Sequence, residues 1–141
     1  MNADTTRTGK VPSVRTALVV DDEPHVAELI AGVLTAEGFA VTSAADGPAA
    51  LRRARASQPD IVVLDVGLPG LDGFEVLEGL RANAATMHIP VIILTNYGEP
   101  ELRERGMKLG ALEFLVKADT NPAQLSESVE RAIGPRALPS I

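Results

Sequence analysis

The chain has 141 residues, 45% of them hydrophobic, and a formal net charge of −6 from 19 acidic residues against 13 Lys and Arg. That length suits one domain with a real core. The absence of cysteine excludes a disulfide framework, thiol chemistry and a cysteine-ligated zinc, and two histidines, His25 and His88, are too few for a histidine-rich metal centre.

No apolar run approaches the roughly 18 residues of a membrane span. The opening residues lack the apolar segment of a signal peptide. No basic run is long enough to follow a nucleic-acid backbone. A cytoplasmic protein without direct nucleic-acid binding is expected, its acidic surface suited to a divalent cation or a basic protein face.

Residues 1–15, MNADTTRTGKVPSVR, carry few large apolar side chains and no clean period, and are expected to form a flexible tail. Thr16 to Val20 is a continuous apolar run, as in a strand covered on both faces. Pro24 suits the first turn of a helix. There Val26, Leu29, Ile30, Val33 and Leu34 recur at helical spacing, until Gly38 stops it. Phe39 to Ala44 alternates like an edge strand. Asp46, Gly47 and Pro48 open a second helix that closes before Gln58 and Pro59.

The run Ile61 to Leu64 ends on Asp65 and enters a loop punctuated by Gly67, Pro69, Gly70 and Gly73. Asp72 is a candidate N-cap for a helix from Gly73 to about Asn83. A strand from Pro90 to Leu94, a helix from Pro100 to Leu109 containing Gly106, and a strand from Leu112 to Val116 follow. The last helix is capped by Asn121, opened by Pro122 and stopped by Gly134, leaving residues 135–141 as a short tail. Five strands alternating with five helices imply a doubly wound parallel sheet in an α/β domain over residues 16–134, because every right-handed parallel crossover needs its own helix.

In a parallel sheet the polar residues that end four of these strands share one edge, where ligands bind. They are Asp21 and Asp22, Asp65, Thr95 and Lys117. Three carboxylates together repel one another unless a cation joins them, and hard oxygen ligands with room for waters suit Mg²⁺. Lys117 would keep the carboxylates ionised. A carboxylate beside Mg²⁺, an ammonium and a hydroxyl is equipped to attack a phosphoryl group.

At these positions the chain resembles the receiver domain of bacterial two-component response regulators, the CheY-like family. The resemblance rests on Asp21-Asp22, on the run from Asp65 to Gly73, on Thr95 and on Lys117, and it covers about Thr16 to Ile133. It implies the flavodoxin-like strand order 2-1-3-4-5, which is also this family's order in the general description of such folds. It further implies that Asp65 accepts a phosphoryl group from a sensor histidine kinase or a phosphotransfer protein. Asp22, Asp65 and the Gly67 carbonyl would bind Mg²⁺ directly and Asp21 through water. Thr95 would hydrogen-bond the phosphoryl group and Lys117 would pair with it.

Phe114 stands where the family places a switch aromatic that turns inward. The signal would be read by a protein target on the face of the fourth helix, fifth strand and fifth helix, by a monomer or a phosphorylation-dependent homodimer. Such a protein catalyses only its own phosphorylation and dephosphorylation and is not an enzyme on a separate metabolite.

Several residues depart from the family pattern. Asn96 follows the threonine where alanine or glycine is usual, and Tyr97 and Gly67 occupy positions that tune dephosphorylation. Ala118 replaces a proline, leaving the isomer of the preceding bond open, and Phe114 has no hydroxyl. Three alternatives stand beside the single-domain regulator: a phosphorelay shuttle or phosphate sink, a pseudo-receiver that binds partners regardless of phosphorylation, and an aspartyl-phosphate hydrolase. Against the last, Gly67 stands where a second acid is usual. The glycines of the Asp65 loop do not have dinucleotide-loop spacing.

Overall fold

A computed structural model describes residues 14–134 of the chain. The expected tails at residues 1–13 and 135–141 lie outside the described residues. Five strands, β1 (Thr16–Val20), β2 (Ala40–Ala44), β3 (Ile61–Leu64), β4 (Val91–Thr95) and β5 (Glu113–Val116), form one sheet in the order β2-β1-β3-β4-β5. Every pairing is parallel. Five helices connect and follow them: α1 (Pro24–Ala36), α2 (Gly47–Ser57), α3 (Gly73–Ala82), α4 (Pro100–Lys108) and α5 (Pro122–Ile133).

The apolar runs are strands because both faces of the sheet are covered. Ala17 and Val19 of β1, Ile61 and Val63 of β3, and Ile92 and Leu94 of β4 pack with Ile30, Leu34, Leu125 and Val129 of α1 and α5. The alternate residues Leu18, Val20, Val62, Leu64 and Ile93 pack with α2 and α3 on the other face. Each large side chain so buried contributes roughly 1.5–3 kcal/mol. A charge at Val63, which is 1% exposed, would therefore disrupt the layer.

Local chemistry sets the helix starts. Asp46 accepts the Ala49 N–H at 2.8 Å, and Asp72 with Glu75 and Asn121 with Gln124 form reciprocal capping boxes. Helices α1 and α4 have no side-chain cap and begin on proline, whose missing N–H needs no partner there.

Several details differ from the sequence expectations. Leu29, placed by periodicity on the apolar stripe of α1, is 72% exposed. Ile30 and Leu34 take the buried face, and one residue further round the helix Leu29 falls outside the contact. Leu112 is exposed and precedes β5. Lys117–Asp119 forms a 3-10 turn that periodicity did not signal, closed by the Thr120 hydroxyl on the Val116 carbonyl at 2.8 Å. The described residues contain no cis peptide bond, so the bond before Ala118 is trans.

Arg15, expected in the tail, donates to the carbonyls of Gly134 and Ile133 at 3.0 and 3.3 Å and ties the start of β1 to the end of α5. Gly106 is the buried residue of α4. A β-carbon there would stand 2.7 Å from Ile93 Cδ1 and 3.3 Å from the Phe114 ring, so close packing accounts for a glycine in that helix.

Candidate functional site

Strand register brings the polar strand ends together. Val20 pairs with Leu64 and with Ala44, so the next residues, Asp21 and Asp65, leave neighbouring strands at the same level. Across β3, Leu64 pairs with Ile93, and Thr95 pairs with Val116, the residue before Lys117. Asp21, Asp65 and Thr95 are buried and Asp22 is exposed. Each of the three acids brings a carboxylate oxygen within 4.8 Å of the others.

The Lys117 ammonium donates to Asp21 Oδ2 at 2.7 Å and to Asp65 Oδ2 at 3.0 Å, with the Glu23 carboxylate at 3.9 Å. Burial disfavours the charged lysine, but the hydrogen bonds it donates to Asp21 and Asp65, reinforced by their charges, outweigh it, and its pKa is raised. The lysine is therefore a fixed cation. Asp21 Oδ1 accepts the Glu23 N–H at 3.0 Å, so both of its oxygens are engaged. Asp65 Oδ1 accepts the Gly67 N–H at 3.0 Å.

The loop after β3 holds Asp65 by close backbone packing. The Gly73 N–H donates to the Val66 carbonyl at 3.1 Å, and a β-carbon at Gly73 would overlap the Asp65 carbonyl oxygen. Helix α3 can start against the acid's own backbone only because residue 73 is a glycine. The role of Gly73 was not legible beforehand, since in sequence it is one loop glycine among three. On the other flank, the Tyr97 N–H donates to Thr95 Oγ1 at 3.4 Å.

The donor set fits Mg²⁺. Three carboxylates against one ammonium leave two uncompensated negative charges in a small volume, and such hard oxygen donors suit a cation that keeps several waters.

The sequence matches the family described as "Response regulator receiver domain" over residues 17–130. The chain belongs to the response regulator receiver family. It is 44% identical over 100 residues, 71% of this chain, to the response regulator PleD of Caulobacter vibrioides. It is 40% identical over 116 residues, 82% of this chain, to the probable transcriptional regulatory protein TcrX of Mycobacterium tuberculosis. The matched segments are 22% of PleD and 47% of TcrX, so the chain spans at most about half of these relatives.

Among solved structures, the receiver domain of the Pseudomonas aeruginosa sensor histidine kinase PA1611 superposes with a TM-score of 0.78 at 30% identity. The match covers 86% of this chain and 98% of that one, and its structure has a magnesium ion coordinated in the active-site cleft. Receiver domains are signalling modules of two-component systems and are generally not enzymes. The fold expected from the resemblance, strand order included, is the one observed.

Within this receiver, the departures from the family pattern fall in two places, at the rim of the site and in the core. Asn96 is exposed and lines a groove with Lys117 and Ala118 between α1 and α5. Phe114 is 3% exposed, its ring inside the layer beneath α4. Arg103 donates to the Phe114 carbonyl at 2.9 Å and stacks over the ring at 5.1 Å.

Proposed function

We propose that this receiver accepts a phosphoryl group on Asp65 and signals through a protein contact. The observation that carries the reading is the position of Asp65: a buried carboxylate at the sheet edge, held by Lys117 at 3.0 Å, with Asp21 and Asp22 grouped beside it. The donor is a phosphohistidine of a sensor kinase or phosphotransfer protein. An Asp65 oxygen attacks phosphorus, the phosphorus–nitrogen bond breaks, and the imidazole leaves with the bonding pair and takes up a proton. Lys117 pairs with the Asp65 carboxylate at 3.0 Å and then faces the added phosphoryl charge. Thr95, whose hydroxyl already orders the Tyr97 N–H, turns to a phosphoryl oxygen.

Asp22, Asp65 and the Gly67 carbonyl would hold Mg²⁺, with Asp21 helping through water, as the resemblance to the family implies. The cation, when bound, offsets charge on the transferring oxygens. Residues 16–134 form the receiver unit, acting in the cytoplasm. No helix of the described residues is long and apolar enough to cross a membrane. The output contact is the face of α4, β5 and α5, and the protein acts as a monomer or as a phosphorylation-dependent dimer.

The test is incubation with Mg²⁺ and acetyl phosphate, followed by intact mass. Wild type should gain about 80 Da for one phosphoryl group, and Asp65→Asn should gain nothing. No gain in wild type from either acetyl phosphate or a phosphorylated histidine kinase would overturn the reading.

A further inference from the structure

We propose that Thr120 is a positioning residue for Lys117: its hydroxyl locks the turn after β5 that carries the ammonium to the acid site. The inference rests on the reading that Lys117 serves phosphoryl transfer to Asp65. The need for a lock follows from the sheet order. Lys117 leaves β5, which lies two strands from β3 and three from β1, and neighbouring strands are about 4.8 Å apart. One ammonium nevertheless meets Asp65 at 3.0 Å and Asp21 at 2.7 Å. The main chain must therefore turn off the line of β5 directly after Val116, and the direction of that turn decides where the ammonium stands.

Little within the turn fixes that direction. Its residues are Lys117, Ala118 and Asp119, none of them a proline, the residue that fixes its own φ. Val116 at its start supplies no side-chain cap. The backbone bond that closes it, from the Thr120 N–H to the Lys117 carbonyl, is long at 3.3 Å. The Thr120 hydroxyl makes the shorter bond, 2.8 Å to the Val116 carbonyl, and by length the firmer one.

That acceptor is a fixed point. Val116 pairs with Thr95 in the sheet, and its side chain packs closely enough on the β4–α4 loop that a β-carbon at Gly98 would stand 2.9 Å from its Cγ2. Beyond Thr120 the chain is anchored again, because Asn121 and Gln124 form the capping box of α5. The hydroxyl spans the stretch between these two anchored elements, and Lys117 lies inside it. Among the described residues Thr120 makes no hydrogen bond to Asp21, Asp22 or Asp65, so it acts through Lys117.

Two variants separate the hydroxyl from the shape of the side chain. Thr120→Val keeps the branched outline and removes the donor, whereas Thr120→Ser keeps the donor. With Mg²⁺ and saturating acetyl phosphate, followed by intact mass, Thr120→Val should be phosphorylated roughly five- to tenfold more slowly, the order set by one lost hydrogen bond. Thr120→Ser should recover most of the rate. Equal rates in wild type and Thr120→Val, or a Thr120→Ser as slow as Thr120→Val, would overturn the proposal.

Urea unfolding of Thr120→Val, Lys117→Ala and the double variant gives a readout that needs no phosphoryl transfer. Thr120→Val should lower the midpoint more in the chain that carries Lys117 than beside Lys117→Ala, because only the former loses the aim of the ion pairs together with the bond. Equal losses in both backgrounds would make the role of Thr120 purely local and overturn the proposal. If wild type takes no phosphoryl group while the coupling persists, the acceptor reading falls and the positioning of Lys117 stands.

Discussion

The Lys117 ammonium lies nearer to Asp21, at 2.7 Å, than to Asp65, at 3.0 Å, and so ties the acid after β1 to the acid after β3. Removing it leaves two buried carboxylates side by side. Lys117→Ala should lose about 2–4 kcal/mol at neutral pH, since an uncompensated buried charge is costly and water at the rim moderates the loss. Urea unfolding measures it. The sign at high pH follows from the raised pKa. Stability from the charged lysine is fully present below its ordinary value of 10.5 and is lost as pH rises through the folded value.

Magnesium should stabilise the fold through the acid cluster. A ligand that binds only the folded state adds about 2.7 kcal/mol at 100 times its Kd, so the thermal midpoint should climb with Mg²⁺ concentration. Asp22 is exposed, and Asp22→Ala should change stability without metal by under about 0.5 kcal/mol while abolishing the climb. A wild-type midpoint indifferent to Mg²⁺ would contradict the assignment.

The Tyr97 ring rests against Gly67, where a β-carbon would stand 2.8 Å from Cε2 and 3.7 Å from Asp65 Oδ1. The chain has one tyrosine and no tryptophan, so its intrinsic fluorescence reports on the rim of the acceptor site. Emission should change on adding Mg²⁺ or a phosphodonor. Gly67→Ala should displace the ring and raise quenching by added iodide to the level of a freely exposed tyrosine. Unchanged quenching would show that the ring already lies clear of residue 67.

Arg81 fastens the end of α3 to two loops. It donates to the carbonyls of Met87, Ile89 and Gly110 at 3.1, 2.8 and 2.9 Å, and burial lowers its pKa. Arg81→Ala should cost about 2–3 kcal/mol, since these are hydrogen bonds to a charged group. Arg81→Lys should recover little, because a point ammonium cannot reproduce the planar fork. Denaturant midpoints for the two variants decide this.

The runs ending on Asp21, Asp65, Thr95 and Lys117, with the glycine, proline and capping residues between them, determined the strands, the helices and the composition of the site. Residue types state local backbone needs directly, and parallel crossovers leave few ways to assemble the result. The tertiary structure decided what depends on distances between segments far apart in the chain. It made Lys117 shared by two acids, set Tyr97 against Gly67 and α3 against the backbone of Asp65, and turned Leu29 out of the core although its spacing fitted the stripe. Arg81 shows the limit most clearly. Its partners are carbonyls, which every residue possesses, and one of them lies 29 residues away, so no residue type in the chain could announce it.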